Sequence, residues 1–204
     1  MEDRDFKTTA NENTQAHVSA GKARHLLDDK PNRKKEIYDW VQCLVCAMVT
    51  CVLVFIFVFR IVAVKGSSME PTLHWHDKVI ISNLFFTPEY GDIVVLQKKT
   101  FGEEPIVKRV IATEGQTIDI DLETGTVTID GQVLEENYIA APTIEREDFE
   151  KPVTVPEGCV FVMGDNRNNS TDSRDSRIGV VDEREILGKV IFRIMPVNGF
   201  GSVY

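Results

Sequence analysis

Histidine and cysteine are scarce in this chain, and their positions exclude several kinds of site. There are four of each. Cys43, Cys46 and Cys51 lie inside one apolar stretch, which leaves Cys159 alone in the rest of the chain. A disulfide framework requires paired cysteines, so none is expected. Histidine and cysteine do not cluster with the spacing of a metal site, and we expect neither a metal nor another cofactor.

Basic residues are too few for a nucleic-acid-binding surface. The chain has 23 Lys and Arg against 32 Asp and Glu, a formal net charge of −9. Phosphate recognition requires clustered basic side chains, and no such stripe is present. Nucleic acid is therefore not an expected partner. A hydrophobic content of 43% is ordinary for a chain that buries a core.

Long apolar runs are limited to one, near the start of the chain. Residues 1–39 are polar and mixed in charge, which predicts a disordered tail. Trp40 to Phe59 holds no charged residue, and a helix of this length spans roughly 30 Å, one bilayer hydrocarbon core. A cleavable secretory signal is the alternative, but the run ends without the small residues that cleavage requires. The sequence thus predicts a single uncleaved transmembrane helix at residues 40–59.

The charges beside this helix predict its orientation in the cell membrane. Arg33-Lys34-Lys35 precedes the helix, and basic residues favour the cytoplasmic side. Arg60 and Lys65 on the other flank weaken the asymmetry. We expect a cytoplasmic N-terminus, with residues 60–204 outside the cytoplasm.

The rest of the chain predicts a mainly β fold. Short β-branched runs alternate with Gly, Pro, Asn and Asp, as is typical of antiparallel strands and turns. The predicted strands are 78–81, 92–96, 105–111, 116–120, 126–129, 159–163 and 188–194, with one short helix at 182–186. Turn residues at Gly125 and Asp130-Gly131 indicate a β-hairpin excursion at about 116–155. Residues 60–204 are therefore expected to form one extracytoplasmic β domain.

Two adjacent hydroxyls follow the apolar run, in Gly66-Ser67-Ser68-Met69. A serine is a poor nucleophile until a base removes its proton. His74 and His76 are too close in sequence to fold back on this serine, and the chain order fits none of the usual triads. Lys108 is the better candidate for the base, because it shares one face of a predicted strand with apolar residues.

Lys108 has two interpretations at this point. A lone lysine on a strand is by default an exposed or edge residue whose ammonium reaches solvent. If it is buried instead, desolvation lowers its pKa, and the neutral amine can accept a proton. A carboxylate in contact would reverse that effect, so hydroxyl contacts are expected. Arg109 cannot replace it, because a guanidinium stays protonated.

A dense group of polar residues occupies positions 164–174. A solvated turn is the simplest interpretation, because Asp, Asn and Ser side chains bond readily to their own backbone. Alternatively, the opposite charges pair with one another and hold Ser170 rigidly. The four charged residues concerned are Asp165, Arg167, Asp172 and Arg174.

Four sequence blocks after a single anchor resemble the bacterial type I signal peptidases, which are membrane-anchored serine endopeptidases that remove signal peptides from exported proteins. The blocks are Ser68-Met69-x-Pro71-Thr72-Leu73, Gly91-Asp92-Ile93-Val94-Val95, Lys108-Arg109-Val110 and Gly164-Asp165-Asn166-Arg167-x-Asn169-Ser170-x-Asp172-Ser173-Arg174. They keep the order of the family, and the resemblance runs from the anchor to about Gly188.

The resemblance implies a role for each matching residue. Ser68 would be the nucleophile with its backbone N–H as oxyanion donor, Lys108 the general base, and Ser170 the residue that orients the lysine. Structural support is implied for Arg109 paired with Asp165, and for Asp172 paired with Arg174. Small apolar pockets that select Ala before the cut would include Met69, Ile106 and Val107. The implied partners are signal-peptide-bearing preproteins at the export machinery and the lipid bilayer.

Three positions depart from the family pattern. Some relatives have a serine at the position of Gly66, where its hydroxyl helps to stabilise the oxyanion. Asn168 replaces an aspartate of many relatives, and His76 replaces a usual glycine. Two other functions remain as alternatives: a self-cleaving Ser-Lys protease of the repressor type, and a non-catalytic membrane-tethered β module that binds partners and leaves Lys108 exposed.

Overall fold

The computed structural model of the protein describes residues 33–203. Its first element is helix α1, Arg33–Val58, which is long and apolar enough to cross a membrane. The sequence predicts this helix at 40–59. The structure begins it earlier, since residues 33–39 contain no proline or glycine to interrupt a helix. The rest of the tail predicted to be disordered lies outside the described residues.

The part of the chain after α1 is built from strands, and the predicted mainly β fold is confirmed. The strands of the described chain are β1 (Phe59–Ala63), β2 (Lys78–Ser82), β3 (Ile93–Leu96), β4 (Ile106–Ala112), β5 (Thr117–Asp121), β6 (Thr126–Ile129), β7 (Gln132–Val133), β8 (Val153–Thr154), β9 (Cys159–Met163), β10 (Val181–Asp182) and β11 (Ile186–Met195). Short 3₁₀ helices lie at Arg167–Asn169, Glu183–Glu185 and Val197–Gly199.

The strands form two antiparallel sheets. The larger sheet has the order β1-β2-β11-β3-β4-β9-β10, and the smaller sheet has the order β7-β6-β5-β8. The strands of the smaller sheet lie between residues 117 and 154, in the region where the sequence predicts a β-hairpin excursion at about 116–155. By backbone contacts the chain divides between Leu53 and Val54, and the second unit contains both sheets.

Strand β4 lies in the interior of the larger sheet, between β3 and β9. All its residues after Ile106 are buried, because apolar clusters cover both of its faces. Val107 belongs to one cluster with Val64, and Val110 belongs to another with Val94. A strand covered on both faces is largely shielded from water. Any polar side chain on β4 is therefore removed from water.

Phe161 on β9 provides a test of this core. It is 1% exposed and meets Phe149 edge to face, with ring centroids 6.3 Å apart. Phe161→Ala should lower the free energy of unfolding by about 3–5 kcal/mol, because it leaves a cavity. Phe85, which is 98% exposed, provides the control, and Phe85→Ala should change stability by less than about 0.5 kcal/mol. Denaturant unfolding of the detergent-solubilised protein measures both, and equal losses would contradict this core.

Candidate active site

Ser68 lies in the turn between β1 and β2, and both sides of this turn are anchored in the core. Val64 and Met69 are 2% and 1% exposed. The Asn166 N–H donates a hydrogen bond of 3.0 Å to the Ser68 carbonyl oxygen. Within residues 33–203, neither the hydroxyl nor the backbone N–H of Ser68 has a hydrogen-bond partner. The Ser68 backbone is thus fixed through its carbonyl oxygen, while its hydroxyl and its N–H can still bond to a substrate.

The hydroxyl of the neighbouring Ser67 already has a hydrogen-bond partner. Ser67 Oγ accepts a hydrogen bond of 2.9 Å from Asn169 Nδ2. The Ser67 carbonyl oxygen accepts another, of 3.1 Å, from Asn166 Nδ2. Of the two adjacent serines, only Ser68 therefore offers a hydroxyl without a bond to the described part of the chain. The two asparagines hold the residue beside it.

Ser68 and Lys108 line the same groove, which has a volume of about 510 Å³. Other lining residues come from the segment before Ser68, from residues 101–105 and from the start of β4, where Ile106 and Val107 lie. Met69, expected in the substrate pocket, belongs to the core cluster of Val64 and is not among the described residues that line this groove. His74 and His76 line a different pocket, beside Arg193.

The Lys108 side chain is buried in the sheet, being 3% exposed. It lies opposite Val94 of β3, and its Nζ donates a hydrogen bond of 3.0 Å to Ser170 Oγ. It forms no salt bridge with a carboxylate of the described chain. The interpretation of Lys108 as an exposed edge residue is therefore wrong.

Burial shifts the acid–base behaviour of this amine. Desolvation lowers the pKa of Lys108 from its ordinary value of 10.5 to about 8. The Asp172 carboxylate exerts the largest opposing effect on this pKa. Ser170 lies between the two groups, since its Oγ donates a hydrogen bond of 2.9 Å to Asp172 Oδ2. The amine thus contacts a hydroxyl, and a substantial fraction of it is neutral near pH 8.

Residues 164–174 form a loop held by buried charges, which excludes the solvated turn. The Asp172 and Arg174 side chains are fully buried and pair through Arg174 Nε and Asp172 Oδ1 at 2.8 Å. Asp172 Oδ2 also accepts a hydrogen bond of 3.0 Å from the Gly164 N–H. The Asp172 carboxylate therefore fixes three residues of the loop, namely Gly164, Ser170 and Arg174.

Gly164 permits a close approach between the two serines of the site. A Cβ atom added there would lie 2.2 Å from Ser170 Oγ and 2.5 Å from the Ser68 carbonyl oxygen. Those distances are too short for any side chain. The backbone of Gly164 is consequently the spacer that sets Ser68 and Ser170 beside each other.

Arg109, next to Lys108 on β4, pairs with Asp165. Arg109 Nε and Nη2 donate to the two carboxylate oxygens of Asp165 at 2.8 and 2.7 Å. Arg109 Nη1 donates to the Gly91 carbonyl oxygen at 2.8 Å. Consecutive residues of a strand face opposite ways, so this pair forms on the other side of β4 from the Lys108 amine.

The three departures from the family pattern each have a structural reason or consequence. His76 has φ 72°, a conformation that favours glycine, which accounts for the usual residue there. Gly66 has φ 80°, so a residue with a side chain would be strained in this backbone. Asn168 uses both halves of its amide: Oδ1 accepts from the N–H groups of Ile144 and Glu145, and Nδ2 donates to the Pro142 carbonyl.

Sequence reasoning did not single out residues of segment 136–143, although they contact this loop. Glu136 and Thr143 both accept hydrogen bonds from Arg167, a residue with no exposed surface. Acidic and hydroxyl residues between strands are usually solvated, so the pattern carries no signal of burial. The described residues contain no group of His, Cys, Asp or Glu that could hold a metal ion.

Comparison with known proteins shows which family this chain is similar to. The family model described as signal peptidase, peptidase S26, matches residues 37–195. Signal peptidase I of Bacillus licheniformis is 34% identical over 82% of this chain and 93% of its own length. Signal peptidase I S of Bacillus subtilis strain 168 is 35% identical over 85% of this chain and 97% of its own. A crystal structure of a signal peptidase I from Enterococcus faecalis V583 is 29% identical and covers 51% of this chain and 97% of its own, with a TM-score of 0.41. On the strength of the family match and the two Bacillus relatives, the chain belongs to the signal peptidase family, peptidase S26.

Proposed function

We propose that this protein is a membrane-anchored serine endopeptidase that removes N-terminal signal peptides from exported preproteins, using Ser68 as nucleophile and Lys108 as general base. The observation that carries the proposal is a lysine amine buried in an interior strand, bonded to a hydroxyl, in the groove that Ser68 also lines. A binding module has no need of a desolvated lysine, whereas a serine nucleophile needs a base.

The reaction begins when neutral Lys108 accepts the proton of Ser68 Oγ as that oxygen attacks the carbonyl carbon of the residue before the cut. The resulting ammonium returns the proton to the leaving amine, and the carbon–nitrogen bond breaks. An ester on Ser68 remains. The same amine then takes a proton from water as the water oxygen attacks the ester carbon. The ammonium returns that proton to Ser68 Oγ as the ester C–O bond breaks, which releases the signal peptide with a free carboxylate and restores the serine and the neutral amine.

The backbone N–H of Ser68 is the proposed donor to the oxyanion. A preorganised donor is effective when it points at the developing charge and is not used elsewhere. The Ser68 N–H has no acceptor within the described residues. Gly66 has no side chain to add a second hydrogen bond, so this chain depends on backbone donors more than relatives with serine at that position.

The supporting residues have separate proposed roles. Ser170 accepts the hydrogen bond from Lys108 and so orients the amine towards the groove. The pair of Asp172 and Arg174 fixes Ser170, and the pair of Arg109 and Asp165 fixes the strand beside the base. No metal or other cofactor enters the mechanism, because each proton has a donor and an acceptor among these groups.

The substrate is proposed to bind as an extended strand along the groove, with small residues one and three positions before the cut. Ile106 and Val107 line that groove with apolar side chains. Helix α1 anchors the enzyme in the cell membrane with the strands outside the cytoplasm. Exported preproteins at the export machinery carry their own apolar segment in the same bilayer, which keeps the cut site near the membrane surface.

Substrate selection gives a direct test. A peptide with an Ala-x-Ala boundary should be cleaved by the detergent-solubilised protein after the second Ala. Changing that Ala to Phe should lower kcat/KM at least about a hundredfold, because a bulky side chain does not fit a small pocket. Mass spectrometry identifies the cut and quantifies the products. Equal cleavage of both peptides would contradict the proposed specificity.

The dyad is tested by removing each member. Ser68→Ala and Lys108→Met should each lower kcat at least about a thousandfold, because nucleophile and base act as one unit. The matched controls are Ser67→Ala and Lys99→Met, which should retain most of the activity, since Ser67 Oγ is already engaged and Lys99 is exposed. Circular dichroism should show all four variants folded. Normal cleavage by folded Lys108→Met would rule out the lysine as base.

The pH dependence follows from the lowered pKa of Lys108. Only the neutral amine accepts a proton, so kcat/KM should rise about tenfold per pH unit below pH 8 and level off above it. The charged groups that act on this amine are Asp172, Glu147, Arg174 and Asp165. A stopped assay from pH 6 to 10 on the Ala-x-Ala peptide measures the profile. A rate that is flat or falls across pH 7–8 would contradict a lysine base.

A further inference from the structure

Segment 136–143, between β7 and β8, lies outside every sequence block that resembles the family, yet it contacts both sides of the site. The Tyr138 ring packs over the Arg109 guanidinium, with 4.1 Å from Arg109 Cζ to the ring centroid. The Ala140 N–H donates a hydrogen bond of 3.1 Å to the Asp165 carbonyl oxygen. One stretch of backbone thus packs against the residue beside the proposed base and against the polar loop 164–174.

Glu136 forms a buried ion pair with Arg167. Its carboxylate accepts hydrogen bonds from both terminal nitrogens of Arg167, one of them 2.8 Å from Nη1. The two side chains are 6% and 0% exposed. A guanidinium stays charged, so a buried one requires an opposite charge at close range. Tyr138 Oη donates to the same carboxylate at 3.0 Å and limits its rotation.

Arg167 connects this carboxylate to the loop that holds Ser170. Its Nε donates to the Gly164 carbonyl oxygen at 3.2 Å, at the start of the loop. Its own carbonyl oxygen accepts a hydrogen bond of 2.6 Å from Arg174 Nη2, at the end of the loop. Gly164 packs directly against Ser170 Oγ. A displacement of Arg167 would therefore move the backbone that sets the Ser170 hydroxyl.

We propose that Glu136 is a positioning residue for the peptidase reaction, which acts through Arg167 to hold Ser170 Oγ within hydrogen-bond distance of Lys108 Nζ. The proposal rests on the proposed function, because it assumes that Lys108 is the base that Ser170 orients. Glu136 touches neither the substrate groove nor the dyad. Its effect is expected on the rate of the chemical step and not on the affinity for substrate.

A double-mutant cycle separates positioning from general stabilisation. Glu136→Gln keeps the size of the side chain but removes the charge. It should lower kcat about tenfold or more and change KM less than about twofold, because small displacements of catalytic groups cost rate. In a Ser170→Ala background the same change should lower kcat less than about twofold, since no hydroxyl remains to be positioned. An equal reduction in both backgrounds would overturn the proposal.

Glu185→Gln is the matched control. It removes a carboxylate that pairs with Lys98 at 2.7 Å, on elements that do not contact loop 164–174 through hydrogen bonds. Its kcat should stay within about twofold of the parent. Should Glu136→Gln fail to fold, Thr143→Val removes a single acceptor of Arg167 at similar volume, and the same cycle applies.

Hydrogen exchange followed by mass spectrometry tests the contact without any substrate. In folded Glu136→Gln, amides of residues 164–174 should exchange at least about tenfold faster than in the parent, with other core segments unchanged. Glu185→Gln should leave this loop unchanged. Unaltered exchange in the loop would overturn the positioning role. Failure of the parent protein to cleave any signal peptide would contradict the proposed function alone, and the exchange result would still decide whether Glu136 holds the loop.

Discussion

The burial of one lysine amine beside a hydroxyl is the constraint on which the rest of the structure depends. Lys108 lies on an interior strand, and desolvation there lowers its pKa from 10.5 to about 8. That shift corresponds to a cost on the order of 3 kcal/mol when the amine is protonated. The unfolded chain keeps the ordinary pKa, so this cost is complete below about pH 8 and disappears as the pH rises towards 10.5. The fold tolerates it through the apolar clusters on both faces of β4.

Buried ion pairs keep other charges from acting fully on that amine. Arg109 neutralises Asp165, Arg174 neutralises Asp172, and Arg167 pairs with Glu136. Removing one partner of such a pair typically costs 3–5 kcal/mol, because a buried charge is left without compensation. The same pairs fix the loop geometry, so stability and the alignment of Ser170 depend on the same contacts. A carboxylate in direct contact with Lys108 would instead have raised its pKa.

The sequence predicted the helix and those strands whose residue composition differs from that of their neighbours, and it missed strands whose composition does not. The helix follows from a run without charge, and β4 and β9 follow from β-branched runs. Strand β1 was missed because it continues the apolar run of α1, and β7, β8 and β10 because each has only two residues. For the site, the order of the four blocks indicated Ser68 and Lys108, and strand alternation separated Arg109 from the lysine. Glu136 could not be predicted, since its contact with Arg167 depends on how a polar segment folds back. The burial of Met69 in the core could not be predicted either, because the direction of its turn has no sequence signal.

The Lys108 amine is expected to titrate near pH 8 in the folded protein, before any substrate binds. NMR of the full-length protein in detergent, with ¹⁵N at the lysine side chains and Lys108→Met for assignment, measures that titration directly. A midpoint near pH 8 is expected for Lys108. A midpoint near the ordinary value of 10.5 would show an amine that is almost fully charged at pH 8, which contradicts its role as a base.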